Sequence, residues 1–346
     1  MYLTKHNPHG GDVYGAPPLI DFSASLNPEG MPEPVRQALI DSVDQCVSYP
    51  DPYCRALRGA IGTAEGVPTG HILCGAGASE LIYQYAAALP GGKPALIIAP
   101  TFSEYACALQ AAGHTVEYHT LTAGNGFQLT GDILSRDLSD YAAVFFCSPN
   151  NPTGITVEPE LIESLAGQGV RLFCDFCFLD LTARPDRYDI PSLTARFPNV
   201  SVLRTPTKSY AIPGVRLGYL ITSDTELLER MSERRQCWNV SVPAQMAGVA
   251  AMECGGWLRA SAERIAAERE RLRREFTALG LEVYPGEANF LLIYSEKELV
   301  KPLAGMGCQL RDCSNFVGLR RGYFRAAVRT PDENDRLLTA VREVLL

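Results

Sequence analysis

The chain has 346 residues, 46% of them hydrophobic and 20% charged, which is more than one ordinary domain needs, so a large domain with a smaller companion is expected. Its 31 lysines and arginines against 39 acidic residues give a net charge of −8, with no long block of either sign, which disfavours a nucleic-acid partner but leaves room for a small anion where arginines converge. No apolar run reaches about 18 residues and MYLTKHNPHGGDVYG has no signal-peptide core, so neither a membrane nor an exported protein is expected; the 11 cysteines, scattered through apolar segments, read as reduced thiols of a cytoplasmic protein.

Near the N-terminus, HGGD at His9 to Asp12 and LIDFSASLNP at Leu19 to Pro28 show little helical pattern. The glycine pair suggests an arm whose backbone lies close to something, with Ser23, Ser25 and Asn27 supplying polar groups along it. VRQALIDSV, between Pro32 and Val47, predicts a helix that stops at SYPDPY, where Tyr49 sits between the helix and the prolines. HILCGAGASELIYQYAAAL predicts a strand, a glycine turn and a helix. The first N–H groups of that helix, at Gly77, Ala78 and Ser79, lack internal partners and form an anion site. PALIIAPTF repeats the strand and brings Phe102 to its end; no role is assigned to Glu104 or Tyr105. YAAVFFCSPNNPTG ends in a loop stiffened by Pro149 and Pro152, which fixes the aim of the Asn151 amide.

VRLFCDFCFLDL places Asp175 inside an apolar run, where an ionised carboxylate asks for a cation. Cys174 and Cys177 form a C-x-x-C, but no second pair stands at metal-ligand spacing. TPTKSYAIPGVRLG then surrounds one lysine, Lys208, with the hydroxyls of Thr205, Thr207 and Ser209, followed by Arg216 and Gly218. Lysine forms Schiff bases with carbonyls, and hydroxyls with a fixed cation suit a phosphate. Residues 224–280 turn helical, and the Glu/Arg alternation of AERIAAERERLRREF predicts a solvated face with supporting ion pairs. Arg311, Arg320, Arg321, Arg325 and Arg329 close the chain; arginine's planar fork suits carboxylate and phosphate, while Arg320 and Arg321 beside Gly322 read as a solvated turn.

The Lys208 run resembles the Ser/Thr-x-x-Lys and Gly-x-Arg-x-Gly signature of the class I and II aminotransferase superfamily, with the glycine turn and NPTG in that superfamily's order. HGG, SASLNP, RDCSNF and FRAAVRT are most similar to the threonine-phosphate decarboxylases of cobalamin biosynthesis. The resemblance implies an α/β protein of fold type I. Its N-terminal arm and part of the small domain would span 1–45, its large cofactor domain 46–240, and its small C-terminal domain with a linking helix 241–346. It implies pyridoxal 5′-phosphate on Lys208, with Asp175 on the pyridine nitrogen, Asn151 on the phenolic oxygen and Phe102 stacked on the ring. Gly77, Ala78, Ser79, Thr205, Thr207 and Arg216 would hold the phosphate, joined by Tyr49 from the other subunit of a homodimer. Arg325 and Arg311 would take the substrate carboxylate, with His9 and Asn27 completing the substrate site.

The implied reaction is decarboxylation of O-phospho-L-threonine or a close phosphorylated amino acid, with histidinol-phosphate aminotransfer as the alternative. A non-catalytic ligand sensor on the same scaffold is a third reading, disfavoured because no basic DNA-binding segment precedes the fold. One departure stands out. Most aminotransferases read Asp-x-Ala-Tyr, whereas here Asp175 is followed by Phe176, Cys177 and Phe178, so the tyrosine hydroxyl is missing and Asn151 is left as the expected donor to the phenolic oxygen.

Overall fold

The computed structural model describes residues 9–14 and 20–346. Seven strands form the main sheet: β1 (Ile72–Gly75), β2 (Ala95–Ala99), β3 (Val116–Thr120), β4 (Ala143–Cys147), β5 (Leu172–Asp175), β6 (Val200–Arg204) and β7 (Gly218–Ile221), in the order β1-β7-β6-β5-β4-β2-β3. β2 to β6 pair in parallel, and β7 runs antiparallel to both of its neighbours. Every residue of β2, β4, β5 and β6 is buried, as a parallel sheet covered on both faces requires. Alternate side chains enter opposite cores. Leu96, Val144 and Leu172 join the cluster that contains Leu57 and Ile61, while Ile97, Phe145 and Phe173 pack with Leu81 and Tyr85.

The helices that matter for the site are α1 (Glu33–Gln45), α2 (Arg55–Glu65), α3 (Ala78–Ala88), α4 (Val242–Met252), α5 (Gly255–Ala278) and α6 (Pro331–Leu345). A proline in the first turn starts α1, and Gly66, at φ +68°, stops α2 by returning its N–H to the Gly62 carbonyl. Both pack on α4. α5 carries the predicted ion pairs, Arg271 to Glu268 at 2.5 Å and Arg273 to Glu270 at 2.6 Å. Arg269 departs from the solvated pattern: it turns inward and donates to the Glu287 carbonyl at 2.7 Å.

Beyond α5 a second, antiparallel sheet is built from β8 (Glu282–Val283), β9 (Phe290–Tyr294), β10 (Arg311–Asp312) and β11 (Tyr323–Ala327), in the order β10-β11-β9-β8. Its apolar side chains Leu291, Ile293, Phe324 and Ala326 pack with Ile265, Leu272 and Phe276 of α5 and Leu337 and Val341 of α6. Ile20 and Asp21 pair in parallel with Cys308 and Gln309 in a separate two-stranded sheet.

Candidate active site

The carboxyl ends of β4, β5 and β6 are in register, with Cys147 opposite Asp175 and Asp175 opposite Leu203. Ligands of open α/β sheets gather at such ends, and the chain's chemistry-bearing residues follow them directly. Asn151 comes after β4, Asp175 closes β5, and Thr205 to Lys208 leave β6. They surround a cavity of about 240 Å³, also bordered by His9, Ala78, Ser79, Phe102, Thr207, Arg216, Arg311 and Arg325.

Lys208 lies on the one-turn helix Pro206–Ser209, which Thr205 starts by accepting the Thr207 N–H at 3.2 Å. Burial, with Arg325 the next cause, lowers the Lys208 amine to about 8, so a useful fraction is neutral and nucleophilic near physiological pH. Asp175 is buried, accepting from Tyr105 Oη at 2.6 Å and from the Cys177 N–H at 3.0 Å. Burial pushes its carboxyl above the ordinary value even though both donors oppose that shift. An ionised carboxylate buried in this way is stabilised by a cationic partner.

The anion cradle is assembled by the pairing of β1 with β7, which sets Gly75 opposite Gly218. Gly77 adopts φ +94°, and a Cβ there would lie 2.6 Å from Arg216 Nη2; a Cβ on Gly218 would lie 2.8 Å from the Ala78 nitrogen. Only glycine allows the helix N-terminus and the guanidinium to approach this closely. Arg216 itself is left-handed at φ +60°, and Thr205 and Thr207 join their hydroxyls at 2.9 Å.

Across the cavity, Arg311 on β10 stands directly opposite Arg325 on β11. Arg325 donates to Asn151 Oδ1 and, at 2.7 Å, to the Ser23 carbonyl, while its Nε has no hydrogen-bond partner among the described residues. Like charges facing each other across a strand pair repel, which suits a site made for an anion. His9 Nε2 meets Glu104 Oε1 at 2.9 Å, and the His9 ring tilts against Phe102 at 5.4 Å.

Three expected site residues do not border the cavity: Gly77, which shapes the cradle beside it, Tyr49 and Asn27. Tyr49 is 78% exposed and stacks on Trp238 at 4.3 Å, outside the cavity. Asn27 also does not border the cavity; it is buried, and its amide is engaged by Ser209 and Ser261, so the substrate contact expected of it is replaced by a structural one. Arg320 and Arg321 are off the cavity, near Tyr294 and Glu298. Tyr105 was missed. It lies 70 positions before Asp175 and has no motif around it; only the buried face of its helix hints at an inward hydroxyl.

The fold and the site define the class: the family model for aminotransferase class I and II matches residues 17–341, and the chain belongs to that family, whose members use pyridoxal phosphate. Among curated relatives, the chain is 38% identical to the threonine-phosphate decarboxylase of Salmonella typhimurium, covering 97% of this chain and 96% of that one. It is 30% identical to histidinol-phosphate aminotransferase 2 of Archaeoglobus fulgidus, over 94% and 93%. The crystal structure of the histidinol-phosphate aminotransferase from Clostridium acetobutylicum superposes with a TM-score of 0.88 at 26% identity, over 94% of this chain and 99% of that one.

Proposed function

We propose that the protein is a pyridoxal-phosphate enzyme that decarboxylates O-phospho-L-threonine, or a close phosphorylated amino acid, to an aminoalkyl phosphate for cobamide synthesis. The observation that carries this reading is the facing pair Arg311 and Arg325 on the cavity wall. Together with the 38% identity to a threonine-phosphate decarboxylase, it favours a substrate with two anionic groups. The residues present fit the cofactor. Lys208 supplies the amine that holds it, the α3 N-terminus with Arg216, Thr205 and Thr207 suits its phosphate, and Asp175 offers the buried carboxylate that a protonated ring nitrogen would satisfy.

When bound, the cofactor supplies an electron sink for the bond that breaks at the substrate's α-carbon. The chain's residues do the rest. Arg325 would orient the carboxylate, Arg311 and His9 would meet the phosphate, and Asn151 and Phe102 would help to hold the cofactor. Lys208 Nζ holds the proton that returns to the α-carbon once carbon dioxide has left. Tyr49, with exposed Val43, Val47 and Trp238 nearby in the chain or in contact, fits a homodimer surface from which it would reach the neighbouring subunit's phosphate. The division into bodies at residues 1–45, 46–240 and 241–346 is part of the same proposal.

The second reading, transamination of histidinol phosphate, is favoured by the likeness to the Clostridium acetobutylicum enzyme. Loaded protein incubated with O-phospho-L-threonine is expected to release carbon dioxide without accumulating aminated cofactor. Conversion to the aminated cofactor with histidinol phosphate, and no carbon dioxide, would establish the aminotransferase instead. Lys208→Ala is expected to remove both the cofactor's absorption band and activity.

A further inference from the structure

The segment Ser23 to Asn27 touches the Arg325 guanidinium at one end and the backbone of the Lys208 turn at the other. At one end the Ser23 carbonyl accepts from Arg325 Nη2 at 2.7 Å. At the other the Asn27 N–H donates to the Lys208 carbonyl at 3.0 Å, and Asn27 Nδ2 donates to the Ser209 carbonyl at 2.8 Å. The Asn27 Oδ1 is held in turn by Ser261 Oγ of α5 at 2.8 Å and the Glu29 N–H at 3.0 Å. Both amide ends are therefore engaged, in a residue that is 3% exposed. The opposite side of the lysine turn is fixed by Ser209 Oγ on Asp180 Oδ2 at 3.1 Å, and Asp180 is paired with the buried Arg204.

We propose that Asn27 is a positioning residue for the reaction: it anchors a strap that sets the distance between the Lys208 amine and the Arg325 guanidinium, and it ties that strap to α5 through Ser261. The last carbonyls of a one-turn helix have few partners within the turn; here Lys208 shares its carbonyl between the Tyr210 and Asn27 N–H groups, and Ser209 receives the Asn27 side chain. Holding both from one residue, through its backbone N–H and its side-chain amide, restricts the direction in which Lys208 leaves its backbone. Reaction geometry is sensitive to displacements of about 1 Å. A lysine turn held only by its own four residues would not keep that tolerance.

The charged and titratable groups around Lys208 are Arg325, Arg216, Cys177 and Asp21, with Asp175 on the same cavity wall. Arg325 is the largest of the charged influences and depresses the amine. A protonated nitrogen at this position, free or joined to the cofactor, feels the same neighbouring Arg325 and the same burial; loosening the strap relaxes both, so its titration moves upward.

The test is a pH titration of the cofactor absorption band in the loaded, substrate-free enzyme, with Asn27→Ala and Ser261→Ala beside wild type. Ser261→Ala keeps Asn27 on the lysine turn and removes only the tie to α5, so it remains informative if Asn27→Ala does not fold. The midpoint is expected to rise by about half a pH unit or more in Asn27→Ala and by less in Ser261→Ala. Turnover per loaded site should fall about tenfold in Asn27→Ala while KM changes by less than about threefold. Midpoints within about 0.2 units of wild type in every variant that folds would overturn the proposal, even if thermal stability dropped, because they would show a purely structural role. The inference rests on Lys208 carrying the cofactor, but the titration uses no substrate, so a wrong substrate assignment shows up only as wild type failing to release carbon dioxide.

Discussion

Burial holds the Lys208 amine at about 8 instead of 10.5, and that depression gives stability a sign. Below about pH 8 the lysine is charged in the folded and unfolded states alike, so the native state bears the whole cost of a buried charge, about 3 kcal/mol. Between that pH and 10.5 the native amine is already neutral while the unfolded one still binds a proton, so the cost fades as pH rises. Cofactor-free Lys208→Met is therefore expected to exceed wild type in urea stability by up to about 3 kcal/mol at pH 7, with the gap closing toward pH 10. A gap independent of pH would contradict the burial of the amine. Tyr105→Phe makes a second test at this scale, because it removes the Tyr105 hydroxyl from Asp175 and leaves the Cys177 N–H. The Asp175 carboxyl then moves further upward, and turnover should fall about tenfold with the fold intact, as for loss of a hydrogen bond to a charged group.

Among the elements, the turn between β1 and α3 makes the sharpest demand on sequence. Gly77→Ala would place a methyl 2.6 Å from Arg216 Nη2 at a φ of +94°. Cofactor affinity, measured by equilibrium dialysis, is expected to weaken by about five- to 150-fold, the consequence of roughly 1–3 kcal/mol of strain in the cradle. This turn was legible beforehand, because an apolar run, glycines and a helix pattern follow one another in HILCGAGASELIY. Asn151, Asp175 and Lys208 were legible for the same reason: each sits just past or at the end of an apolar strand, where position along the chain already implies position in space. Contacts made across the chain were not legible. Asn27 looked like a substrate ligand because nothing local shows that its amide meets Ser209 and Ser261, 182 and 234 positions away. Arg311 and Arg325 were recognised as a cluster, but their facing positions depend on β10 and β11 pairing, a register that two short strands do not announce. Arg269, read as solvated, found a carbonyl partner through the same kind of distant packing.

At the scale of the whole molecule, Tyr49 provides a test of assembly. If it serves the neighbouring subunit, a mixed dimer of Lys208→Ala and Tyr49→Phe chains contains one site with both defects and one site with neither. Mixing two impaired proteins should then restore activity toward half the wild-type value per dimer, and the mixture should sediment as a dimer. No recovery after verified subunit exchange would place Tyr49 on its own subunit or outside the reaction. The arrangement of β7 has a consequence of its own. This strand is inserted between β1 and β6, antiparallel to both, so Ile72 pairs with Ile221 and Gly75 with Gly218. Such distant pairings form late because the loop between them must first be closed. During synthesis the amides of Gly77 and Ala78 emerge long before Arg216, and the cradle cannot exist until β7 has slotted into the sheet. Uptake of the cofactor by a growing chain would thus report the moment at which the central sheet is complete.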